Sequence, residues 1–124
     1  MLNQLLLDCN SKYFEPFFKS VQTMCWLDGG HNGGKQTWIT DKKLLTDFAR
    51  TNKNIKIDIR VTPYQISDRN RPWIGKEEEL FSTTLLDLLG ANQVRRQVFF
   101  HDERTLINHF RVLDTFDQTP IHVY

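Results

Sequence analysis

Apolar and polar positions alternate along this chain with two different periods, and the changes of period mark its elements. From Ile55 to Val61 the period is two: Ile55, Ile57, Ile59 and Val61 fall on one side, Lys56, Asp58 and Arg60 on the other. That pattern predicts a strand with one wetter face, near the edge of a sheet. The run from Val21 to Leu27 reads as a more buried strand, and Val94 to Phe100 as a third, although Arg95 and Arg96 blur its start. Between these runs the period lengthens to that of a helix. Leu44, Leu45 and Phe48 share the inward face of a helix from about Lys42 to Arg50, capped by Thr40 or Asp41. Leu80, Phe81, Leu85, Leu88 and Leu89 line a longer helix that opens at Ile74 or Gly75 and stops at Gly90. Glu77, Glu78 and Glu79 would then occupy its first turn, where the helix dipole favours negative charge.

The rest of the chain is plainer. Leu2, Leu5 and Leu6 share one face of a helix already under way at Leu2, with no capping residue before it. Its first turns, and whatever preceded them, are therefore expected to be missing. Tyr13 to Phe18 is a short amphipathic piece, helical only if the helix starts close to Pro16. Thr62 to Pro72 is punctuated by Pro63, Asp68, Asn70 and Pro72 and reads as a loop. A last amphipathic helix lies within Leu106 to Phe116, and residues 117–124 read as an irregular tail. Strands alternating with helices argue an α/β fold with a parallel sheet and crossover helices. Three strands are few, so residues 1–124 are expected to form one partial domain with an incomplete sheet.

Composition narrows the function classes. The 16 basic and 15 acidic residues are well mixed, leave a formal charge of +1, and form no stripe that would suit nucleic acid. No apolar run reaches the roughly 18 residues needed to span a membrane. The start lacks the cationic flank of a secretory signal and the arginines of a transit peptide, so no targeting segment is visible. Cys9 and Cys25 are the two cysteines, and they suit reduced thiols better than a disulfide framework.

Candidate chemistry gathers where the first strand breaks into Asp28-Gly29-Gly30-His31-Asn32-Gly33-Gly34-Lys35. In open α/β sheets the carboxyl ends of the strands collect ligands and catalytic groups. Gly29 to Lys35 nearly matches a phosphate-binding loop, but Gln36 stands where Ser or Thr should follow, and no helix opens at once. A tight loop passing close to other backbone, and the rim of an active site, are the other readings. Asp28 could be a catalytic carboxylate or could bond its own loop's N–H groups. Asp68 lies in a loop at the same sheet edge. His101 and His109 both follow the third strand and could reach that edge, whereas His31 lies in the glycine loop and His122 in the tail. No His or Cys pair has metal-ligand spacing, and no cofactor is expected. Ser11, Ser20, Ser67 and Ser82 sit in no Gly-x-Ser-x-Gly elbow, and Cys25 inside a strand reads as packing. No residue looks like an activated nucleophile.

Several blocks together carry a resemblance. Trp26-Leu27-Asp28-Gly29-Gly30-His31 with Gly33-Gly34 and Thr37-Trp38, Val61-Thr62-Pro63-Tyr64-Gln65 with Asp68, Trp73-Ile74-Gly75-Lys76-Glu77, and Asn108-His109-Phe110-Arg111-Val112 occur in this order. They resemble the α/β-hydrolase-like mitochondrial proteins whose human member is named for an open reading frame on chromosome two, from about Leu2 to Phe116. The resemblance implies the C-terminal part of an α/β-hydrolase fold, beginning just after the elbow that bears the nucleophilic serine. The chain would carry the acid and the histidine of a serine hydrolase but be inactive on its own. By the chain order Ser, acid, His, it implies Asp68 as the acid and His109 as the base. Asp28 is the reserve acid, because some hydrolases place the acid one strand earlier. Asn108 is a plausible cap for the last helix. Asp28, Gly29, Gly30, His31, Gly33 and Gly34 would line the pocket, and the implied partner of the full-length family is a small ester or lipid substrate. A mitochondrial location is implied in the same way. The competing expectation is a hydrolase-like mitochondrial scaffold or binding protein without catalysis.

Overall fold

The computed structural model describes residues 15–30 and 34–118. The expected helix at Leu2, with Cys9, His31, Gly33 and His122, lies outside them.

Three strands form one parallel sheet in the order β1-β2-β3: β1 Thr23–Leu27, β2 Lys56–Val61 and β3 Val94–Val98. The helix α1 (Glu15–Ser20) precedes β1, with Pro16 in its first turn, where a missing N–H costs nothing. The first crossover carries α2 (Lys42–Thr51), whose N-cap is Asp41, its side chain accepting from the Leu44 N–H at 3.2 Å. The second crossover carries a short helix α3 (Pro63–Ile66) and the long helix α4 (Pro72–Leu89). After β3 come α5 (Leu106–Arg111), a 3-10 turn (Val112–Asp114) and α6 (Thr115–Gln118). The fold is thus α/β with an open, incomplete parallel sheet.

Successive right-handed crossovers in one direction along a sheet place their helices on the same face. The structure agrees, since α2 and α4 pack together. The register aligns Met24, Ile57 and Val94, then Trp26, Ile59 and Arg96, along one face. Leu45, Phe48, Ile74, Phe81 and Leu85 join the apolar members of these rows in the core. Trp26 and Trp38 each bring their rings to 5.2 Å from Phe81.

Two sequence expectations give way here. First, β2 is the central strand, not an edge strand, and its Asp58 and Arg60 are fully buried. Their alternation reflects a buried ion pair. Arg60 Nε and Nη2 lie 2.9 Å and 2.8 Å from Asp58 Oδ2, Nη1 donates to Thr115 Oγ1 at 2.7 Å, and the guanidinium covers the Phe116 ring at 4.1 Å. A charged face of period two looks wet in sequence, yet here the two charges pair through Asp58 Oδ2, and Arg60 holds the C-terminal segment against the sheet. Helical geometry accordingly continues to Gln118, so the irregular tail does not start at residue 117.

Second, α4 opens at Pro72, in the stretch read as loop, because proline suits the first helical position. That earlier start moves Glu77, Glu78 and Glu79 out of the first turn. Glu78 is buried and makes two 2.7 Å bonds to Arg96 of β3, while Glu77 turns to the glycine loop. Leu80, expected to face inward, is exposed. Gly90 does end the helix, at φ +88°. The third strand closes at Val98, two residues before the expected end.

Candidate functional site

Asp28 stands one residue past the end of β1 with φ +44°, a left-handed conformation that aspartate tolerates better than most residues. Its backbone N–H donates to the Arg60 carbonyl at 2.8 Å, so the pairing with β2 runs one step beyond the strand. The carboxylate then meets the end of β2. The Thr62 N–H donates to Oδ1 at 2.6 Å, and the Thr62 hydroxyl donates to Oδ2. Oδ2 also bonds Nδ1 of His109 at 2.9 Å, across 81 residues of sequence. Asp28 is fully buried and His109 nearly so. Burial pushes the Asp28 carboxyl above the usual carboxylate range, while the bonds from Thr62 and His109 pull the other way.

His109 is the fourth residue of α5. The N-cap of that helix is Thr105, whose hydroxyl accepts from the Asn108 N–H at 3.1 Å. Asn108 is therefore inside the helix, not its cap, and its side chain donates to the Glu103 carbonyl at 3.2 Å. The rings of Tyr64 and Phe110 neighbour the imidazole, each with its centroid 5.1 Å away. A buried carboxylate on Nδ1 fixes the tautomer and leaves Nε2 as the atom for proton exchange, the arrangement a general base requires.

Asp68 does not take that place. Its carboxylate is held by Arg71 Nη2 at 2.7 Å, Arg71 Nε at 2.8 Å, Arg104 Nη2 at 3.1 Å and the Asn70 N–H at 2.9 Å. Burial acts against the charge, but the Arg71 and Asn70 bonds and the two guanidinium charges together hold the Asp68 carboxyl below its ordinary range. The partner of His109 is Asp28, and the expectation of Asp68 as its acid is corrected. The reason is local. A turn two and three residues long delivers Asn70 and Arg71 to Asp68, whereas Asp28 reaches across the sheet edge to α5.

The segment that follows the glycine loop is tied to α4. Gln36 N–H, Thr37 N–H, the Thr37 hydroxyl and Trp38 N–H all point to the Glu77 carboxylate, at 2.7, 3.0, 3.1 and 3.4 Å. Trp73 Nε1 donates to the Gly34 carbonyl at 2.9 Å. An internal carboxylate thus takes the N–H groups of Gln36, Thr37 and Trp38, which argues against a phosphate at that end of the loop. Gly30 is a close approach: a Cβ there would lie 2.5 Å from Gln65 Oε1 and 2.9 Å from Ile74 Cγ2. Gly29 packs against Trp26 and Trp38. Both glycines directly follow Asp28, while Gly34 is exposed.

Other candidates stay outside the pair. His101 is exposed in the turn after β3. The Cys25 thiol is half-buried and pushed up to about 11 by burial, then by the neighbouring Asp58 charge, so it is not an activated nucleophile. Among the described residues no three His, Cys, Asp or Glu side chains lie close enough to hold a metal ion. No described helix is long and apolar enough to cross a membrane. A cavity of about 470 Å³ opens at the opposite end of the sheet, beside Phe18, Val21, Lys53 and Ile55, and has no part in this site. Sequence reasoning missed Thr62, Tyr64, Glu77 and Arg104. Thr62, Tyr64 and Glu77 left a trace only as members of the resemblance blocks, and Arg104 left none.

The family described as C2orf69 matches residues 1–92. The mitochondrial protein C2orf69 homolog of Mus musculus is 46% identical over 121 residues, covering 94% of this chain and 32% of the mouse protein. Mitochondrial protein C2orf69 of Homo sapiens is 46% identical over 121 residues, with 30% of its length covered. The Danio rerio homolog is 40% identical, with 34% of its length covered. The chain therefore spans about a third of the length of these curated relatives. No solved structure matches it.

Proposed function

The chain belongs to the C2orf69 family, and from that membership and the buried Asp28–His109 pair we propose that it carries the acid and base of a serine-hydrolase-type centre. In this reading the domain is the C-terminal part of an α/β-hydrolase fold. A serine from sequence outside these 124 residues attacks an ester carbonyl. His109 Nε2 takes the hydroxyl proton and later returns it to the leaving group. Asp28, through Nδ1, keeps the ring in the correct tautomer and stabilises the imidazolium. The acid-before-histidine order fits that of α/β-hydrolases.

The observation that carries this reading is the 2.9 Å bond from a fully buried carboxylate to His109 Nδ1. Thr62 supports it by gripping the same carboxylate with both its N–H and its hydroxyl, so the acid cannot rotate away. The substrate class is a small ester or a lipid ester. The relatives are named mitochondrial proteins, which supports the same compartment for this chain.

The test is a fluorophosphonate probe. A full-length family member should be labelled, and replacing the residues aligned with His109 and Asp28 should suppress labelling. The 124-residue chain alone should not be labelled. Labelling of this chain, or undiminished labelling after loss of the aligned histidine, would overturn the proposal. A cellular role that survives both replacements would favour the scaffold reading instead.

A further inference from the structure

Asp68 is buried at the same sheet edge as His109, yet it bonds no part of the pair. Two of its partners, Asn70 and Arg71, come from its own turn and need no further account. Arg104 is different, because it arrives from the loop after β3 to place Nη2 3.1 Å from Asp68 Oδ2. Its guanidinium lies over the Tyr64 ring, with Cζ 5.0 Å from the centroid. The Tyr64 ring in turn faces the His109 imidazole at 5.1 Å and 37°. Carboxylate, guanidinium, phenol ring and imidazole form one unbroken line of contacts from α3 to α5.

Each link has a physical role. A guanidinium is planar and stacks on an aromatic face, which an ammonium does less well. Arg104 is partly exposed, so without an anchor it would sample many rotamers. Asp68 supplies that anchor. The χ2 torsion of an imidazole has a broad well, so packing on the ring's face, beside the Nδ1 bond to Asp28, helps to set its plane. A Tyr64 ring that is itself held by Arg104 narrows that freedom. The Tyr64 hydroxyl makes none of these contacts, so the aromatic face is what matters here.

We infer that Asp68 is a positioning residue, which braces Arg104 against Tyr64 and so fixes the plane of the His109 ring toward Asp28. This rests on His109 being the base of the proposed centre, but the ring's immobilisation can be measured without any turnover. A merely structural bridge between α3 and the β3–α5 loop would alter melting and leave the imidazole unaffected.

The experiment is nitrogen-15 histidine NMR on the 124-residue chain, following solvent exchange of the proton on His109 Nδ1. Asp68→Asn, Arg104→Gln and Tyr64→Leu should each speed that exchange by about tenfold or more. Tyr64→Phe should keep the parent rate. The Asp68→Asn/Arg104→Gln double variant should exchange no faster than the quicker single one, since both act on one link. Dispersed amide spectra check that each variant is folded, and the Tyr64 pair still decides the matter if an Asp68 variant does not fold. Rates within twofold of the parent for Asp68→Asn and Arg104→Gln would overturn the inference, as would equal rates for Tyr64→Phe and Tyr64→Leu. Failure of probe labelling in the full-length protein would retire the hydrolase chemistry while leaving this brace standing, so the two failures are distinguishable.

Discussion

Replacing Asp28 by asparagine exchanges one carboxylate oxygen for an NH2 group and should reverse the state of His109. In the parent, Oδ1 accepts from the Thr62 N–H, and Oδ2 accepts from the Thr62 hydroxyl and from His109 Nδ1. Asparagine can keep its oxygen on the Thr62 N–H, which places its NH2 group against the hydroxyl and Nδ1. The hydroxyl can turn round and accept. Nδ1 can accept only by giving up its proton, and the neutral ring then carries the proton on Nε2. Such a ring cannot take a proton from a nucleophile. The same reversal in serine proteases costs about 10⁴-fold in kcat, or about 5.5 kcal/mol of barrier, and a similar loss of probe labelling is expected at the aligned position of a full-length relative.

Stability should move the other way. Burial, the largest influence, raises the Asp28 carboxyl above its ordinary value. A raised carboxyl contributes stability that is full below the unfolded value and is lost as pH rises through the folded one. Asparagine escapes that loss. Asp28→Asn should therefore unfold no more easily than the parent at pH 7, and any advantage should fade toward about pH 4 and below. Nitrogen-15 NMR of His109 and urea unfolding across pH make the check. Retention of the proton on Nδ1 in the variant, or labelling of the full-length variant within about tenfold of its parent, would refute the reasoning.

Three further outcomes are expected. Glu77→Gln puts an NH2 group among donors from Gln36, Thr37 and Trp38, and should cost about 1–3 kcal/mol, with faster amide exchange confined to those residues. Arg60→Met should cost about 3–5 kcal/mol in urea unfolding by stranding buried Asp58, and adding Asp58→Leu should recover much of it. Alkylation of Cys25 should be slow at pH 7 and accelerate up to about pH 11, where its thiol titrates; a fast reaction at neutral pH would contradict its burial beside Asp58.

The sheet and the crossover helices were legible because each depends on residues near in sequence. Leu44, Leu45 and Phe48 repeat with the helical period, and Gly90 stops α4 where a left-handed residue is needed. The position of β2 within the sheet was not legible. Asp58 and Arg60 alternate as an exposed strand would, and residues far along the chain, Phe99, Thr115 and Phe116, cover them. The site divides along the same line. Asp28 and His109 could each be picked out as end-of-strand and post-strand polar residues, and both lie at the sheet edge the pattern indicated. Which aspartate meets the imidazole depended on a three-dimensional choice. Asp68 carries its own arginine three residues on, a local signal that it is already engaged, whereas nothing near Asp28 hints at Thr62.

The grip of Arg60 on Thr115 and Phe116 has a genetic consequence. A premature stop codon just after Leu113 would spare the three described strands and His109 itself, yet it would pull the plug from beneath the middle of the sheet. Water would then reach a cation that the rest of the chain hides. Alleles ending there should behave as instability alleles, with little protein surviving, rather than as tidy losses of a dispensable end.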